Sequence, residues 1–331
     1  MPESPAFAPP SDRFRVGITR DVEGTDGRPV YDLSALDEAG VEWEWLRGDG
    51  ELTPADVAPF DAIVLFHPRV TSATLAGVDR LALVARLGVG VDNIDVDACT
   101  RARVLVTVTP DSVRRPMAAG AMAFVLALAH RLPEMDRHVR AGRWERFAHV
   151  GTGLDGRTLG IVGLGNVGRE LATLAKPFGL HVVAADPFVA DGPEGVELCA
   201  LDDLLGRADF VVVTCPLTEE TWHLVGAPQL ARMKPTAYIV NIARGPIVDG
   251  EALAEALQAG VIAGAALDVF DPEPPSPDDP LLALDNVILA PHAIGLTDEL
   301  FRLGGRSAAR AVLAVRDGRL PEFPLNPEAA R

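Results

Sequence analysis

The sequence has 331 residues, a length that predicts about two domains. Apolar residues make up 48% of the chain and charged residues 23%, which is typical of a folded globular protein and excludes a wholly disordered or fibrous one. The 47 acidic residues outnumber the 30 basic residues and give a formal net charge of −17, so we expect no nucleic-acid partner.

The three cysteines predict neither a metal site nor a disulfide framework. Cys99, Cys199 and Cys215 are too far apart for a zinc cluster, and an odd number cannot form a closed set of disulfides. This pattern favours a reducing, cytoplasmic location and no metal. The longest strongly apolar run, 117–129, is shorter than the roughly 18 residues that cross a bilayer, so no membrane segment is expected.

Short apolar runs alternate with helix-compatible segments in the first third of the chain. This alternation predicts a parallel sheet built from βαβ units. The predicted strands are 15–19, 61–67, 81–89 and 104–109, and the predicted helices lie near 31–39, 72–79 and 95–101.

A helix is predicted over 116–146. Its first half is apolar nearly all round and its second half is charged. A helix with so little polar surface must be buried, between domains or between subunits.

A second βαβ series follows, with the six strands of a doubly wound nucleotide-binding sheet. The predicted strands lie near 158–164, 182–186, 208–215, 237–243, 263–270 and 286–291. A last helix, from 297 to about 317, is expected to return to the first domain. The predicted domains are therefore 1–110 with 296–331, and 111–295.

The first strand of the second series runs directly into a G-x-G-x-x-G motif and then a helix. Gly163 permits a tight turn, Gly165 lets a pyrophosphate approach the backbone, and Gly168 lets the helix pack on the strand. Asn166 and Val167 complete the loop. An ordinary glycine-rich turn is the alternative.

The next strand ends in Asp186, 18 residues after Gly168, where a carboxylate would accept hydrogen bonds from an adenosine ribose and repel a 2′-phosphate. NAD is therefore favoured over NADP. Asp186 could instead cap the turn before Pro187.

Three reactive side chains follow three strands of the second series: Arg244, Glu273 and His292. Because ligands of parallel sheets bind beyond the carboxyl ends of strands, we expect these groups to share one cleft. A histidine can give a proton to the alkoxide that hydride transfer creates, a carboxylate can orient it, and a guanidinium can bind a substrate carboxylate. Taken singly, each residue could instead be structural.

These motifs closely resemble the D-isomer-specific 2-hydroxyacid dehydrogenase family. The resemblance covers most of the chain and rests on 86–95, 163–168, 214–218, 233–235, 241–249, 267–274 and 291–297. It implies an α/β fold of two doubly wound parallel-sheet domains, a flavodoxin-like substrate domain and a Rossmann NAD-binding domain. It also implies a homodimer formed through the helix at 116–146.

The resemblance assigns roles to further residues. Asp268 matches a position that holds the nicotinamide carboxamide, Ile242 and Ala243 line the cofactor, and Cys215 lies where the chain passes the nucleotide. The turn of Gly88, Val89 and Gly90 resembles the loop whose amides receive the substrate carboxylate, and an ordinary strand-to-helix turn is its alternative.

Two departures from the family pattern affect the expected pocket. Many members have Val-Ala-Glu at the start of the dimerisation helix, where this chain has Met117, Ala118 and Ala119. Nearby, Arg114 and Arg115 could bind an anionic substrate tail or pair with acidic residues.

The sequence thus predicts an NAD-dependent oxidoreductase that interconverts a small D-2-hydroxy acid and its 2-keto acid. Glyoxylate, hydroxypyruvate and 3-phosphoglycerate remain open as substrates; a phosphate would need cations such as His67, Arg69 and Arg86. The alternative function is an NAD(H)-sensing, corepressor-like interaction protein on the same fold.

Overall fold

The computed structural model describes residues 14–330. The chain divides into two compact units, Met1–Val113 with Thr297–Arg331, and Arg114–Leu296. Each unit has its own sheet and core, and the two-domain α/β class is confirmed.

The first unit contains a five-stranded, wholly parallel sheet in the order β2-β1-β3-β4-β5, which is the flavodoxin-like order. Its strands are β1 (Arg15–Ile18), β2 (Glu42–Trp45), β3 (Ala62–Leu65), β4 (Leu83–Arg86) and β5 (Leu105–Thr107), and its first helices are α1 (Ser34–Glu38), α2 (Pro54–Val57) and α3 (Val96–Arg101). The central strand β3 is buried at every residue, as expected of a strand covered on both faces.

Strand β2 and the short helix α2 were not predicted, and one predicted helix does not form. Strand β2 was missed: it lies at the edge of the sheet, and its Glu-Trp-Glu-Trp alternation is half exposed rather than continuously apolar. The helix predicted over 72–79 is a series of turns, and Gly77 has a φ of +71°, a left-handed conformation that ends a helix.

The single helix predicted over 116–146 is in fact two helices, α4 (Pro110–Ala129) and α5 (Leu132–Arg140). Arg131 between them has a φ of 53°, so the backbone turns left-handed and cannot continue one helix. Helix α4 is long and apolar enough to cross a membrane by length and composition, but 61% of its most apolar window is buried within the protein. Phe124, Val125 and Leu128 on α4 pack in the core of the second sheet.

The second unit contains a seven-stranded parallel sheet in the order β12-β11-β10-β9-β6-β7-β8. Its strands are β6 (Thr158–Val162), β7 (His181–Ala185), β8 (Val196–Leu198), β9 (Phe210–Val213), β10 (Tyr238–Asn241), β11 (Gly264–Leu267) and β12 (Val287–Leu289), and its further helices are α6 (Asn166–Ala175), α7 (Leu201–Arg207), α8 (Ala227–Leu230) and α9 (Gly250–Gln258). The prediction of six strands was one too few. The missing strand, β8, has three residues at the sheet edge and none of them is fully buried.

The chain then returns to the first unit through α10 (Asp298–Arg316). Thr297 begins the helix by accepting a hydrogen bond from the Leu300 amide (3.2 Å), and α10 packs against α1 and β4.

Asn326 fastens the segment after α10 to the end of β5. Its side chain is buried; Oδ1 accepts from the Val106 amide (2.8 Å), and Nδ2 donates to the carbonyl of Val104 (3.0 Å) and to the hydroxyl of Thr100 (3.0 Å). One side chain therefore pairs three polar groups of the first unit.

Asn326→Ala should lower the free energy of unfolding of the first unit by about 2–4 kcal/mol, because the Val106 amide and Val104 carbonyl would stay buried without partners. Urea unfolding followed by tryptophan fluorescence, to which Trp43 and Trp45 of the first unit contribute, measures the effect. Glu328→Ala, at a nearby exposed side chain, is the matched control. Equal stability of the two variants would refute the role given to Asn326.

Candidate active site

The glycine motif forms the turn between β6 and α6, and its first and last glycines are required by the protein itself. Gly163 has a φ of +95°, and a Cβ there would lie 2.6 Å from the backbone nitrogen of Cys215. A Cβ at Gly168 would lie 2.3 Å from the carbonyl oxygen of Gly163. Thr214, at the end of β9, donates to that same carbonyl (2.6 Å) and holds the turn closed.

Gly165 differs from its neighbours, because a Cβ there would meet no atom of residues 14–330 within 4 Å. It caps the N-terminus of α6, and Asn166 and Val167 form the first turn with backbone amides that have no helical acceptor. Open space in front of helix amides is what a pyrophosphate needs.

Asp186, after β7, lies against this turn. Its Oδ2 accepts from the Leu164 amide (2.7 Å) and its Oδ1 from the Phe188 amide (2.9 Å). A carboxylate has about four acceptor positions, so two remain for a ribose. Asp186 therefore also helps to shape the glycine turn, a role that the sequence analysis did not predict.

The catalytic candidates follow three neighbouring parallel strands. Asn241 of β10 lies opposite Leu267 of β11, which lies opposite Leu289 of β12, so the three strands end at the same level. Arg244, Glu273 and His292 follow these ends in the connecting loops.

His292 and Glu273 are hydrogen-bonded: His292 Nδ1 is 2.8 Å from Glu273 Oε2. Glu273 Oε1 also accepts from the Phe270 amide (3.0 Å). Burial acts to raise the pKa of Glu273, but the hydrogen bonds from His292 and the Phe270 amide and the nearby charge of Arg244 outweigh it and lower that pKa. Because the carboxylate stays ionised, it accepts a hydrogen bond from the Nδ1–H group of His292 and directs Nε2 away from itself.

Arg244 is held by the loop that carries it. Its Nη1 donates to the Ala243 carbonyl (2.7 Å). The buried side chain of Asn241 ties the loop together, accepting from the Ala243 amide (3.0 Å) and donating to the Arg244 carbonyl (2.9 Å). Ile242, the residue after Asn241, is buried, so the backbone that carries the Arg244 guanidinium is held in place.

Gly245 allows the loop that carries Arg244 to lie close to the loop that carries Glu273. A Cβ at Gly245 would lie 1.9 Å from the carbonyl oxygen of Phe270, three residues before Glu273. Only a glycine allows the two backbones to pass this closely. The sequence analysis assigned no role to Gly245 or Asn241, since both act through tertiary contacts.

Asp268 positions the histidine loop. Its Oδ1 accepts from the amides of Ala293 (2.8 Å) and Ile294 (3.0 Å), and its backbone carbonyl accepts from the His292 amide (2.7 Å). His292 itself has a φ of 53°, a left-handed conformation that these bonds hold. Burial raises the pKa of Asp268, against the opposing effect of the two amides.

The remaining residues of the second unit divide between the site and structural pairs. Cys215 lies beside the glycine turn, and burial raises the pKa of its thiol to about 11, so it is not a reactive thiolate. Arg115 is 2.6 Å and Arg114 is 3.7 Å from carboxylate oxygens of Glu170, which fits the acidic pairing considered for them. Among residues 14–330, no three His, Cys, Asp or Glu side chains could hold a metal ion.

Val89 and Gly90 lie in the first unit, in the turn after β4. Arg86 Nε donates to the Gly90 carbonyl (2.9 Å), and Thr109 exchanges hydrogen bonds with Gly88, whose φ is +129°. These contacts fix the turn, while the amides of Val89 and Gly90 have no hydrogen-bond partner within residues 14–330. Two such amides are suited to binding a carboxylate.

The comparison with known proteins decides the family. A sequence model described as "D-isomer specific 2-hydroxyacid dehydrogenase, NAD binding domain" matches residues 122–293. The chain belongs to this family. It is an NAD-dependent D-2-hydroxyacid dehydrogenase, as predicted.

The chain matches two curated relatives over different shares of their lengths. The chain is 42% identical to the glyoxylate reductase of Korarchaeum cryptofilum over 96% of this chain and 97% of the relative. It is 43% identical to the D-3-phosphoglycerate dehydrogenase of Archaeoglobus fulgidus over 74% of this chain, but spans only 47% of that relative.

Solved structures of similar proteins have the same fold as this chain. The TT0316 protein from Thermus thermophilus is 34% identical with a TM-score of 0.84, over 94% of this chain and all of that one. The D-lactate dehydrogenase from Aquifex aeolicus, complexed with NAD and lactic acid, is 27% identical with a TM-score of 0.79, over 92% of this chain and 96% of that one.

The second unit fits the cofactor that the family uses. The pyrophosphate and adenosine ribose of NAD require open space, free amides and hydrogen-bond acceptors. Within the described part of the chain these are the space at Gly165, the amides of Asn166 and Val167, which have no partner there, and the spare acceptor capacity of Asp186.

Gly245→Ala should damage the site more than the fold. The added methyl group would clash with backbone, so the two loops must separate, at a cost of about 2 kcal/mol in unfolding free energy and ~10-fold or more in kcat. Gly250→Ala is the matched control, because a Cβ there meets nothing closer than 3.9 Å. Thermal melts and steady-state kinetics measure both effects; an unchanged kcat in Gly245→Ala would contradict the contact.

Proposed function

We propose that the enzyme reduces a small 2-keto acid to the D-2-hydroxy acid, with His292 as the acid that protonates the substrate oxygen and as the base in the reverse direction. NADH, when bound, supplies the hydride that adds to the keto carbon. The His292 to Glu273 hydrogen bond of 2.8 Å is the observation that carries the proposal. It holds the imidazole in one tautomer, so that Nε2 is the atom that gives up the proton.

Glu273 has two tasks in this proposal. It orients the imidazole, and its negative charge stabilises the imidazolium that the reverse reaction creates. Because the pKa of Glu273 is lowered, this charge persists as the pH falls through the usual range of a glutamate, and is lost only below it.

Arg244 is the proposed substrate-binding cation. Its planar group of donors suits both the substrate carboxylate and the carbonyl oxygen on which negative charge develops. Its charge contributes to the lowered pKa of Glu273, which places the two groups in one electrostatic environment.

The substrate carboxylate is proposed to bind the amides of Val89 and Gly90. Asp268 is proposed to hold the nicotinamide carboxamide through the carboxylate oxygen that the histidine loop does not use, and Ile242, Ala243 and Cys215 to line the cofactor. The similarity to a glyoxylate reductase over nearly the whole of both chains supports a short, unphosphorylated 2-keto acid.

Replacing the acid and its partner should have different results. His292→Ala should lower kcat for glyoxylate reduction by roughly 10³-fold while NADH binding, followed by fluorescence, survives. In Glu273→Gln the protonated imidazole loses its stabilising charge, so the alkaline limb of the rate profile for reduction should move to lower pH by roughly one unit.

The wild type measured with NADH against a panel of 2-keto acids is the reference for both variants. Normal turnover by His292→Ala would exclude the assignment of the acid. NADH binding by a wild type that reduces no keto acid would instead favour the nucleotide-sensing alternative.

A homodimer and a cytoplasmic location are also part of this proposal. The arm, defined as residues 132–150, exposes Trp144 by 71% and Phe147 by 89%. Exposed aromatic side chains in one short segment are typical of a surface that a second copy covers. All three cysteines are unpaired, as in a reducing compartment.

The double variant Trp144→Glu with Phe147→Glu should be monomeric where the wild type is dimeric, because two charges would be buried unpaired at the interface. Light scattering after size exclusion gives the mass. Phe178→Glu, at a half-exposed aromatic residue outside the arm, is the control. A double variant that keeps the wild-type mass would show that the arm is not the interface.

A further inference from the structure

A second histidine with a carboxylate partner lies in the first unit, at the carboxyl edge of its sheet. His67 follows β3, and Asp21 follows β1. Strand β3 pairs with β4, and Leu65 lies opposite Arg86, so His67 and the turn of Gly88, Val89 and Gly90 extend from neighbouring strand ends.

Asp21 holds His67 by two contacts. Asp21 Oδ2 accepts from the His67 amide (2.6 Å) and lies 3.2 Å from His67 Nδ1. Burial acts to raise the pKa of Asp21, but its hydrogen bonds with His67 and Thr19 lower it overall, so the carboxylate stays charged. The imidazole packs edge-on against Phe66, with ring centroids 4.2 Å apart.

The other side of the imidazole is open. The His67 side chain is 70% exposed, and its Nε2 has no hydrogen-bond partner among residues 14–330. Nδ1 is thus held by Asp21, while Nε2 is available to hydrogen-bond a ligand.

The loop that carries His67 is hydrogen-bonded to the segment after the turn of Gly88, Val89 and Gly90. Asn93 Nδ2 donates to the carbonyls of Phe66 (3.1 Å), His67 (3.2 Å) and Pro68 (2.9 Å). Arg86 links the same parts: its guanidinium lies 5.2 Å from the centre of the Phe66 ring, and it donates to the carbonyls of Leu87 and Gly90. A substrate whose carboxylate binds the turn therefore has His67 on the neighbouring loop.

We propose that His67 is a specificity-determining residue that binds a hydroxyl group on C3 of the substrate and so selects a 3-hydroxy-2-keto acid. This inference rests on the proposed function, since it assumes that the Val89 and Gly90 amides hold the substrate carboxylate. A hydroxyl group both donates and accepts, so it can pair with Nε2 whether the imidazole is neutral or charged.

The charge of the His67 and Asp21 pair does not favour a phosphate at this position. With Asp21 ionised, the pair of side chains has a net charge of zero when His67 is protonated and −1 when it is neutral. Arg86 already donates to two carbonyls of its own loop. The His67 and Asp21 pair therefore offers a hydrogen bond to C3 rather than the surplus positive charge that a phosphate requires.

The test compares hydroxypyruvate, pyruvate, glyoxylate and phosphohydroxypyruvate as substrates of the wild type and of His67→Ala. The wild type should prefer hydroxypyruvate to pyruvate and to phosphohydroxypyruvate. His67→Ala should lower kcat/KM for hydroxypyruvate by about 10-fold, mainly through KM, and leave glyoxylate within about twofold, because one hydrogen bond is lost. His67→Gln, which keeps an amide at the position of Nε2, should recover part of the loss.

His181→Ala, at an exposed histidine that begins β7, is the matched control and should change no ratio. An unchanged preference for hydroxypyruvate over pyruvate in His67→Ala would overturn the inference, as would a wild type that prefers phosphohydroxypyruvate. Failure of the proposed function would be distinct: the wild type would reduce none of the four acids.

Discussion

The parallel register of β10, β11 and β12 is the constraint on which the proposed catalytic arrangement depends. Since the three strands end at one level, the loops that follow them begin side by side, and residues 48 positions apart in sequence, from 244 to 292, come to the same edge. Register alone does not finish the site. Gly245 lets two loops touch backbone to backbone, and Asp268 holds the third loop by its amides.

The sequence predicted those parts of the fold that produce a local sequence pattern. Buried strands such as β3 and β9 are continuous apolar runs, and the glycine motif and the residues after strand ends are local patterns. The edge strands β2 and β8 are short and half exposed, so hydrophobicity did not reveal them, although the alternation in β2 could have.

The contacts that position the site were harder to predict, because they join distant parts of the chain. Nothing in the residues around Gly245 shows that a carbonyl 25 positions later will pass within reach of its Cα. Asp268 shows the same limit, since its hydrogen bonds run to amides 25 and 26 positions later. Residues 110–140 form two helices because Arg131 has a left-handed backbone conformation. An arginine side chain does not predict that conformation.

The net negative charge of this chain repels an anionic substrate, so the groups that bind the substrate must attract it locally. The chain carries a net charge of −17, yet the proposed contacts to the substrate are two backbone amides and one guanidinium. Amide dipoles act over a few ångströms and are unaffected by pH, whereas the field of distant surface charges is screened by salt. Local attraction of this kind allows an anionic substrate to bind despite the net negative charge of the chain.

Because the first unit is assembled from both ends of the chain, its completion during synthesis has to wait for α10 and Asn326. The nucleotide-binding unit is continuous, so a ribosome can finish it while its neighbour still lacks a helix. A dinucleotide that binds the folded second unit also stabilises that unit by mass action.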